Sequence, residues 1–298
     1  MYDIIIIGAG PAGISAGIYA VSRGKKTLIL EKNEVGGLIG KVSTVTHYAG
    51  IVDNETGVTF AKRLKNQALN AGVEIIKQNV ITVNFNGKVK EVETDVATYC
   101  AEKVIIANGT SPRRLGIEGE NKLFGKGIGM NAARDAEKYQ GKNIYVVGGA
   151  DGAIKEALYL SKFAKRITII HFEDQLGCIA EFKEKVKRTP NITLRLGSRL
   201  HAVYGVDKVE SLEISDERTG AIETIEDSGC GIFVYAGTVP NTELYKDIKL
   251  ENGFIPVDEN METEIPNVFA IGDIRVKNVR QVATAVADGT IAAIKASI

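Results

Sequence analysis

Gly8, Gly10 and Gly13 stand in the spacing G-x-G-x-x-G, directly behind the run Ile4-Ile5-Ile6-Ile7. Each glycine answers a different steric need of dinucleotide binding. The first permits a tight turn, the second lets bare backbone approach a pyrophosphate, and the third lets a helix pack closely on a strand. The pyrophosphate then rests on the helix N-terminus, where N–H groups without helical partners and the dipole favour an anion. Glu31 lies 23 residues beyond Gly8, at the end of the next apolar run, Thr27-Leu28-Ile29-Leu30. A carboxylate there can accept hydrogen bonds from ribose hydroxyls. Gly36-Gly37 follows, and Gly272-Asp273 closes a late apolar run, Val268-Phe269-Ala270-Ile271. An Asp at that strand end can accept from the ribityl chain of a flavin, so the ligand expected here is FAD rather than NAD.

A second glycine-rich turn, Gly148-Gly149-Ala150-Asp151-Gly152-Ala153, follows Asn143–Val147. In the register G-x-G-x-x-A its middle position is Ala150, which adds a Cβ where the pyrophosphate should approach closely. Thiol chemistry has little to work with. Cys100, Cys178 and Cys230 are far apart, with no CxxC and no Cys/His cluster. Neither a zinc site nor a disulfide framework is expected, and the odd count fits a reducing cytosol.

Strands and helices must hold these turns. Ile4–Ile7 is a continuous β-branched run, as expected of a parallel strand covered on both faces. A helix is expected over Ile14–Arg23, stopped by Gly24, and a second strand over Thr27–Leu30. Asn143–Val147, Ile154–Phe163 and Arg166–His171 repeat strand, helix and strand about 140 residues later, which implies two nucleotide-binding-type domains rather than a solenoid. A final helix is expected over Gln281–Ser297. Asp3 before the isoleucine run, Gly8 after it and the lack of a basic flank make the N-terminus a buried strand rather than a leader. No apolar run reaches the roughly 18 residues of a membrane span. Lys plus Arg number 37 and Asp plus Glu 37. The basic excess that duplex nucleic acid or an anionic membrane demands is therefore absent. The expected location is the cytoplasm, with neither nucleic acid nor membrane as partner.

The whole chain resembles the low-molecular-weight thioredoxin reductases. The matching pieces are Gly8-Ala9-Gly10-Pro11-Ala12-Gly13, Gly36-Gly37, Ala107-Asn108-Gly109-Thr110-Ser111-Pro112, Gly148-Gly149 with Glu156-Ala157-Leu158-Tyr159-Leu160, Pro240-Asn241, Phe269-Ala270-Ile271-Gly272-Asp273 and Arg280-Gln281-Val282, in family order. The resemblance implies an α/β fold of two Rossmann-like domains of FAD/NAD(P)-binding type, the second inserted in the first. The FAD-binding domain would comprise residues 1–112 and 243–298, and a degenerate NAD(P)H-binding-like domain residues 113–242. It also implies a homodimer. The expected FAD contacts are Gly8, Gly10, Pro11, Ala12, Gly13, Glu31, Lys32, Gly36, Gly37, Ala107, Gly109, Gly272, Asp273, Arg280, Gln281 and Val282.

Two parts of the family pattern are missing. Its CxxC falls on Asn131 and Arg134, an amide and a guanidinium that cannot cycle between dithiol and disulfide; only the following Asp135 matches. If the segment keeps its family position against the flavin, Arg134 would stabilise an anionic reduced flavin or bind an anionic substrate; otherwise it is a solvent-facing helix residue. The family's His-Arg-Arg-Asp run and further Arg, which hold the 2′-phosphate of NADPH, read His171-Phe172-Glu173-Asp174 and Gly177. A 2′-phosphate would meet two carboxylates and no cation. Glu173 suits the 2′-OH of NADH, but Ala150 counts against either nucleotide, and a domain that binds none is the competing reading. His171 reads as structural. His47 and Tyr48 lie in a segment that the family places close to the isoalloxazine.

This double loss resembles the ferredoxin-dependent branch of the family, with the disulfide gone as well. The expected function is an FAD oxidoreductase fed by ferredoxin or a similar carrier, with Asn131 and Arg134 as candidate catalytic positions. Ferredoxins are acidic, so Lys183–Arg188 and Arg113-Arg114 are candidate docking residues. One alternative is an NADH- or NADPH-dependent flavin or ferredoxin reductase. Ferredoxin/flavodoxin–NADP⁺ reductases on this scaffold carry a C-terminal extension, whereas this sequence stops at Ile298. The other is a non-enzymatic flavin redox sensor.

Overall fold

Strand β1 (Tyr2–Ile7) carries the isoleucine run through the middle of the first sheet. Successive side chains of a strand point to opposite faces. Ile4 and Ile6 therefore join one buried cluster and Ile5 and Ile7 another, which is why the run shows no polar alternation. Helix α1 (Pro11–Val21), strand β2 (Thr27–Glu31), helix α2 (Gly57–Asn70) and strand β3 (Glu74–Lys77) follow. β2 lies parallel to β1 and β3 parallel to β2. Strands β4 (Val80–Asn84) and β5 (Lys90–Thr94) form an antiparallel pair that leads into β6 (Thr98–Ile106), which runs parallel to β1.

The computed structural model describes residues 1–298. Their contacts divide the chain into two units, Met1–Ser111 with Val239–Ile298, and Pro112–Thr238. The passages between units thus fall at 111/112 and 238/239, against 112/113 and 242/243 expected from the sequence. What reads as loop at both passages contains short strands, β7 (Thr110–Pro112) and, later, β15 (Thr238–Pro240), which pair with each other.

The second unit opens with two single-turn helices, α3 (Glu120–Leu123) and α4 (Ala132–Asp135). Strand β8 (Asn143–Val147), helix α5 (Asp151–Leu160), strand β9 (Arg166–Ile170), helix α6 (Ala180–Lys187) and strand β10 (Ile192–Arg195) then build a parallel layer. An antiparallel meander of β11 (Ser198–Tyr204), β12 (Ser211–Asp216) and β13 (Ile222–Glu226) follows. Strand β14 (Gly231–Val234) returns beside β8, completing the order β10-β9-β8-β14. After β15 the chain re-enters the first unit. There β16 (Val268–Ala270) pairs parallel with β6, and helix α7 (Val282–Ala296) packs along α1.

α1 and α5 both start three residues before the expected Ile14 and Ile154, and end before Arg23 and Phe163. The residues read as turn are already helix. Gly10 is the N-cap and Pro11 the first helical residue, a position that proline's fixed φ suits. α1 and α7 approach closely because small residues face each other. A Cβ on Gly289 would lie 2.3 Å from the Ala12 carbonyl oxygen.

Candidate functional site

The first glycine turn is shaped by contacts that forbid side chains at two of its three positions. Gly8 has φ +108°, and a Cβ there would sit 2.6 Å from the Ala107 carbonyl oxygen. A Cβ on Gly13 would sit 2.0 Å from the Gly8 carbonyl oxygen. Gly10 differs: a Cβ there would meet nothing within 4 Å. Packing does not require that glycine, and its bare face opens onto free space where a diphosphate can approach. The first helical hydrogen bond of α1 runs from Ile14 N–H to Gly10, 3.0 Å. The N–H groups of Ala12 and Gly13 therefore precede the helical ladder, as at any helix start. No side chain caps this end.

Glu31 closes β2 and is oriented by backbone. Its Oε2 accepts Ala9 N–H at 2.7 Å and its Oε1 accepts Asn33 N–H at 2.8 Å. Each oxygen keeps a lone pair for a ribose hydroxyl. Lys32 beside it is exposed. Gly36 donates its N–H to the Ala9 carbonyl, and Gly37 lies against Gly10, so the Gly36-Gly37 pair borders the turn. Ala107 donates its N–H to Ile7 and Gly109 accepts Asn241 N–H, which places the end of β6 beside the end of β1.

Asp273 follows β16. A Cβ on its neighbour Gly272 would lie 3.0 Å from the Ala12 Cβ, so this turn abuts the start of α1. Asp273 Oδ1 is buried without a hydrogen-bond partner. Burial raises the Asp273 carboxyl above its ordinary value; Lys277 and Arg280 offset this only in part, and Asp288 adds to it. Arg280 lies over the Phe254 ring at 4.1 Å; Gln281 is the N-cap of α7 and Val282 its first residue. A partnerless buried carboxylate oxygen, a bare Gly10 face and an uncapped helix start suit the hydroxyls and diphosphate of FAD.

Sequence reasoning missed Asp288. It is buried on α7 and accepts Gly272 N–H, both arms of Arg275 and Lys277 Nζ. A lone Asp in an Ala-rich helix, flanked by Gly289, is the signal that could have found it. Also unread was a reciprocal amide pair. Asn108 Nδ2 donates to the Asn241 carbonyl at 3.0 Å and Asn241 Nδ2 to the Asn108 carbonyl at 2.7 Å.

In the second unit, Gly148 turns tightly under Tyr235, and Gly149 lies against the His171 ring. Ala150 is the N-cap of α5 and is exposed, so its methyl stands on the open side of the turn. Asp151 accepts Ile179 N–H at 2.8 Å, which places a carboxylate in the first turn of α5. His171 is buried and its Nε2 pairs with Glu173 Oε2 at 3.1 Å. Glu173 and Asp174 are exposed.

Asn131 and Arg134 belong to a closed hydrogen-bonded knot. Asn131 caps α4 by accepting Arg134 N–H at 3.0 Å and donates its own N–H to Asp135 Oδ2 at 2.9 Å. The Arg134 guanidinium grips both Asp135 oxygens, at 3.0 and 2.7 Å, and Lys138 adds a third cation contact at 2.8 Å. Burial opposes ionisation of Asp135, but Arg134, Lys138 and the Asn131 N–H outweigh it and hold the carboxyl well below the usual range. Cys100, Cys178 and Cys230 are all free thiols. Burial pushes Cys178 up and Cys230 up to about 12.

Among the other candidates, Lys185 and Lys187 are paired with Glu181 and Glu184 on α6, and Arg114 stacks on Phe124. His47 Nδ1 contacts the Thr46 hydroxyl at 3.0 Å, and Tyr48 meets the Phe60 ring edge-on. No group of His, Cys, Asp and Glu is arranged to hold a metal, and no helix is long and apolar enough to cross a membrane.

Known proteins match this arrangement over its whole length. The family described as pyridine nucleotide-disulphide oxidoreductase matches residues 2–289. A thioredoxin reductase of Peptoclostridium acidaminophilum is 39% identical over 302 residues, which cover 99% of this chain and 96% of that protein. The crystal structure of Lactococcus lactis thioredoxin reductase, in its FR conformation, superimposes with a TM-score of 0.95 at 32% identity, covering 99% and 98% of the two chains. A ferredoxin-flavin thioredoxin reductase from Clostridium acetobutylicum gives a TM-score of 0.54 at 28% identity, covering 99% and 96%. The chain belongs to the pyridine nucleotide-disulphide oxidoreductase family and is, within it, a thioredoxin reductase-like, FAD-binding oxidoreductase.

Proposed function

We propose that this oxidoreductase works without a redox-active disulfide and without ordinary use of NADPH, taking electrons from ferredoxin or a similar protein carrier. The knot at Asn131–Asp135 carries the reading. The two positions that hold the family's thiols bear an amide and a guanidinium, and Asp135 engages the guanidinium through two hydrogen bonds. Neither group accepts or releases an electron pair as a dithiol does. Likeness to a ferredoxin-flavin thioredoxin reductase supports a carrier as donor. Residues 1–112 and 243–298 serve as the FAD-binding domain and 113–242 as a degenerate NAD(P)H-binding-like domain, in a cytoplasmic homodimer.

When bound, FAD supplies hydride and single-electron transfer. The chain's residues bind and orient it. The α1 start and Gly10 receive the diphosphate, Glu31 the ribose hydroxyls, and Asp273 a ribityl hydroxyl. Arg280, Gln281 and Val282 bound the flavin end.

A second reading, NADH as donor, draws on one observation. Glu173 is steadied by His171 at the end of β9, where an acid suits a 2′-hydroxyl. Anaerobic flavin absorbance decides between donors. The protein is titrated with NADPH, then NADH, then chemically reduced ferredoxin. Bleaching by ferredoxin alone is expected. Rapid bleaching by NADH would establish the second reading, and rapid bleaching by NADPH would overturn both.

A further inference from the structure

Asp288 has four hydrogen bonds and no place in the reading above. Its Oδ2 accepts Gly272 N–H at 3.0 Å, Arg275 Nε at 2.8 Å and Lys277 Nζ at 2.8 Å, and its Oδ1 accepts Arg275 Nη2 at 2.7 Å. The Lys277 and Asp288 side chains are 5% and 4% exposed, so neither charge is screened by water. One carboxylate on α7 thus ties down the backbone immediately before Asp273 and the two cations after it.

We propose that Asp288 and Lys277 are positioning residues for FAD, a buried charged pair tied to the backbone at Gly272 that governs how firmly Asp273 holds the ligand. Three side chains bear on Asp273. Lys277 and Arg280 favour its ionised form, and Asp288 opposes it. The start of α1 abutting Gly272, Pro11–Ser15, has no ionisable side chain, and neither do β16 and the Phe254–Pro256 segment packed beneath. Asp288 therefore does two opposed things. It fixes the turn through Gly272 and Arg275, and it holds the Lys277 ammonium at 2.8 Å, on its own carboxylate. Lys277 shares with Arg280 the positive charge that Asp273 feels, and is the one of the two that Asp288 engages.

The test rests on FAD binding and separates its failure from that of the pair. FAD release from the holoprotein is followed by flavin fluorescence across the acid range, and the dissociation constant is measured at each pH. Wild-type protein should bind FAD and release it as pH falls. Affinity should drop about tenfold or more as the charged acceptor is lost. Asp273→Asn should weaken binding and remove the dependence. Lys277→Met should move the midpoint to higher pH. Asp288→Asn, by deleting a negative charge and freeing Lys277, should move it to lower pH. A merely structural pair would leave the midpoint alone or shift it the same way in both variants; either outcome overturns the proposal, as does an Asp273→Asn protein with the wild-type midpoint. If Asp288→Asn does not fold, Lys277→Met and Lys277→Arg carry the test: Met must raise the midpoint and Arg must restore it. Wild-type protein that binds no FAD at any pH would instead overturn the assignment of the ligand.

Discussion

At Gly13 an added methyl would lie 2.0 Å from a backbone oxygen, whereas at Gly10 it would meet nothing within 4 Å. The two glycines can therefore be separated by experiment. Gly10 has φ −72°, which any residue adopts. Gly10→Ala should leave the thermal stability of the FAD-free protein within about 0.5 kcal/mol of wild type, yet weaken FAD by about tenfold or more, because the methyl stands in the diphosphate's place. Gly13→Ala should cost about 1–3 kcal/mol of stability before any ligand is added. Equal loss of stability in both variants would show that Gly10 is structural. Arg134 offers a second test at this scale. Asp135 is ionised in the fold below its unfolded pKa of about 3.9. Its contribution is thus complete above about pH 4 and lost as pH falls through the depressed folded value. Arg134 is 68% exposed, so solvent screens its share. Arg134→Ala should cost about 1 kcal/mol at neutral pH and move acid unfolding to higher pH. An unchanged acid limb in circular dichroism would remove Arg134 from the knot.

Between elements, the decisive contact is α1 on α7. Gly289 meets the Ala12 carbonyl oxygen, and Ala12 is in the first turn of the helix that receives the diphosphate. Gly289→Ala must push α7 outward, at about 1–3 kcal/mol. It should also weaken FAD, since α7 carries Asp288 and is capped by Gln281. Differential scanning of FAD-free and FAD-bound protein would check this: the gap between the two melting temperatures should shrink, and a constant gap would confine the effect to packing. Little of this contact was legible in the sequence. Strands β1, β2, β8 and β9 announce themselves as short apolar runs, and the glycine spacing identifies both turns. Ala and Gly in α1 and α7 do not announce a partner, because small residues favour close approach without specifying where it occurs. Asp288 stands out in the sequence only as a lone Asp in an Ala-rich helix, because a carboxylate's burial depends on cations that arrive from a loop many residues earlier. The starts of α1 and α5 lie earlier than expected because Pro-Ala-Gly and Asp-Gly-Ala look like turn and serve as the first helical residues.

For the whole molecule, the proposed loss of the dithiol has a stoichiometric consequence. A reductase with a flavin and a redox-active disulfide stores two electron pairs per chain, one in each. This chain has no CxxC, and its three thiols are free. Cys178 and Cys230 are buried and pushed toward the unreactive thiol form; Cys100 is half-buried in β6. Anaerobic titration with dithionite should therefore end after one electron pair per bound FAD, with no second phase that continues after the flavin has bleached. Native protein should take up at most one equivalent of a thiol reagent, and unfolded protein three. The variant with all three cysteines changed to serine should keep the same reductive end point and the same reoxidation by its acceptor. Uptake of two pairs, or loss of the second pair on cysteine replacement, would mean that distant thiols meet in the working assembly and would overturn the proposed loss of dithiol chemistry. One pair in every variant leaves FAD as the single redox centre. The acceptor must then be a molecule that takes electrons from FAD directly, with no protein thiol as intermediary.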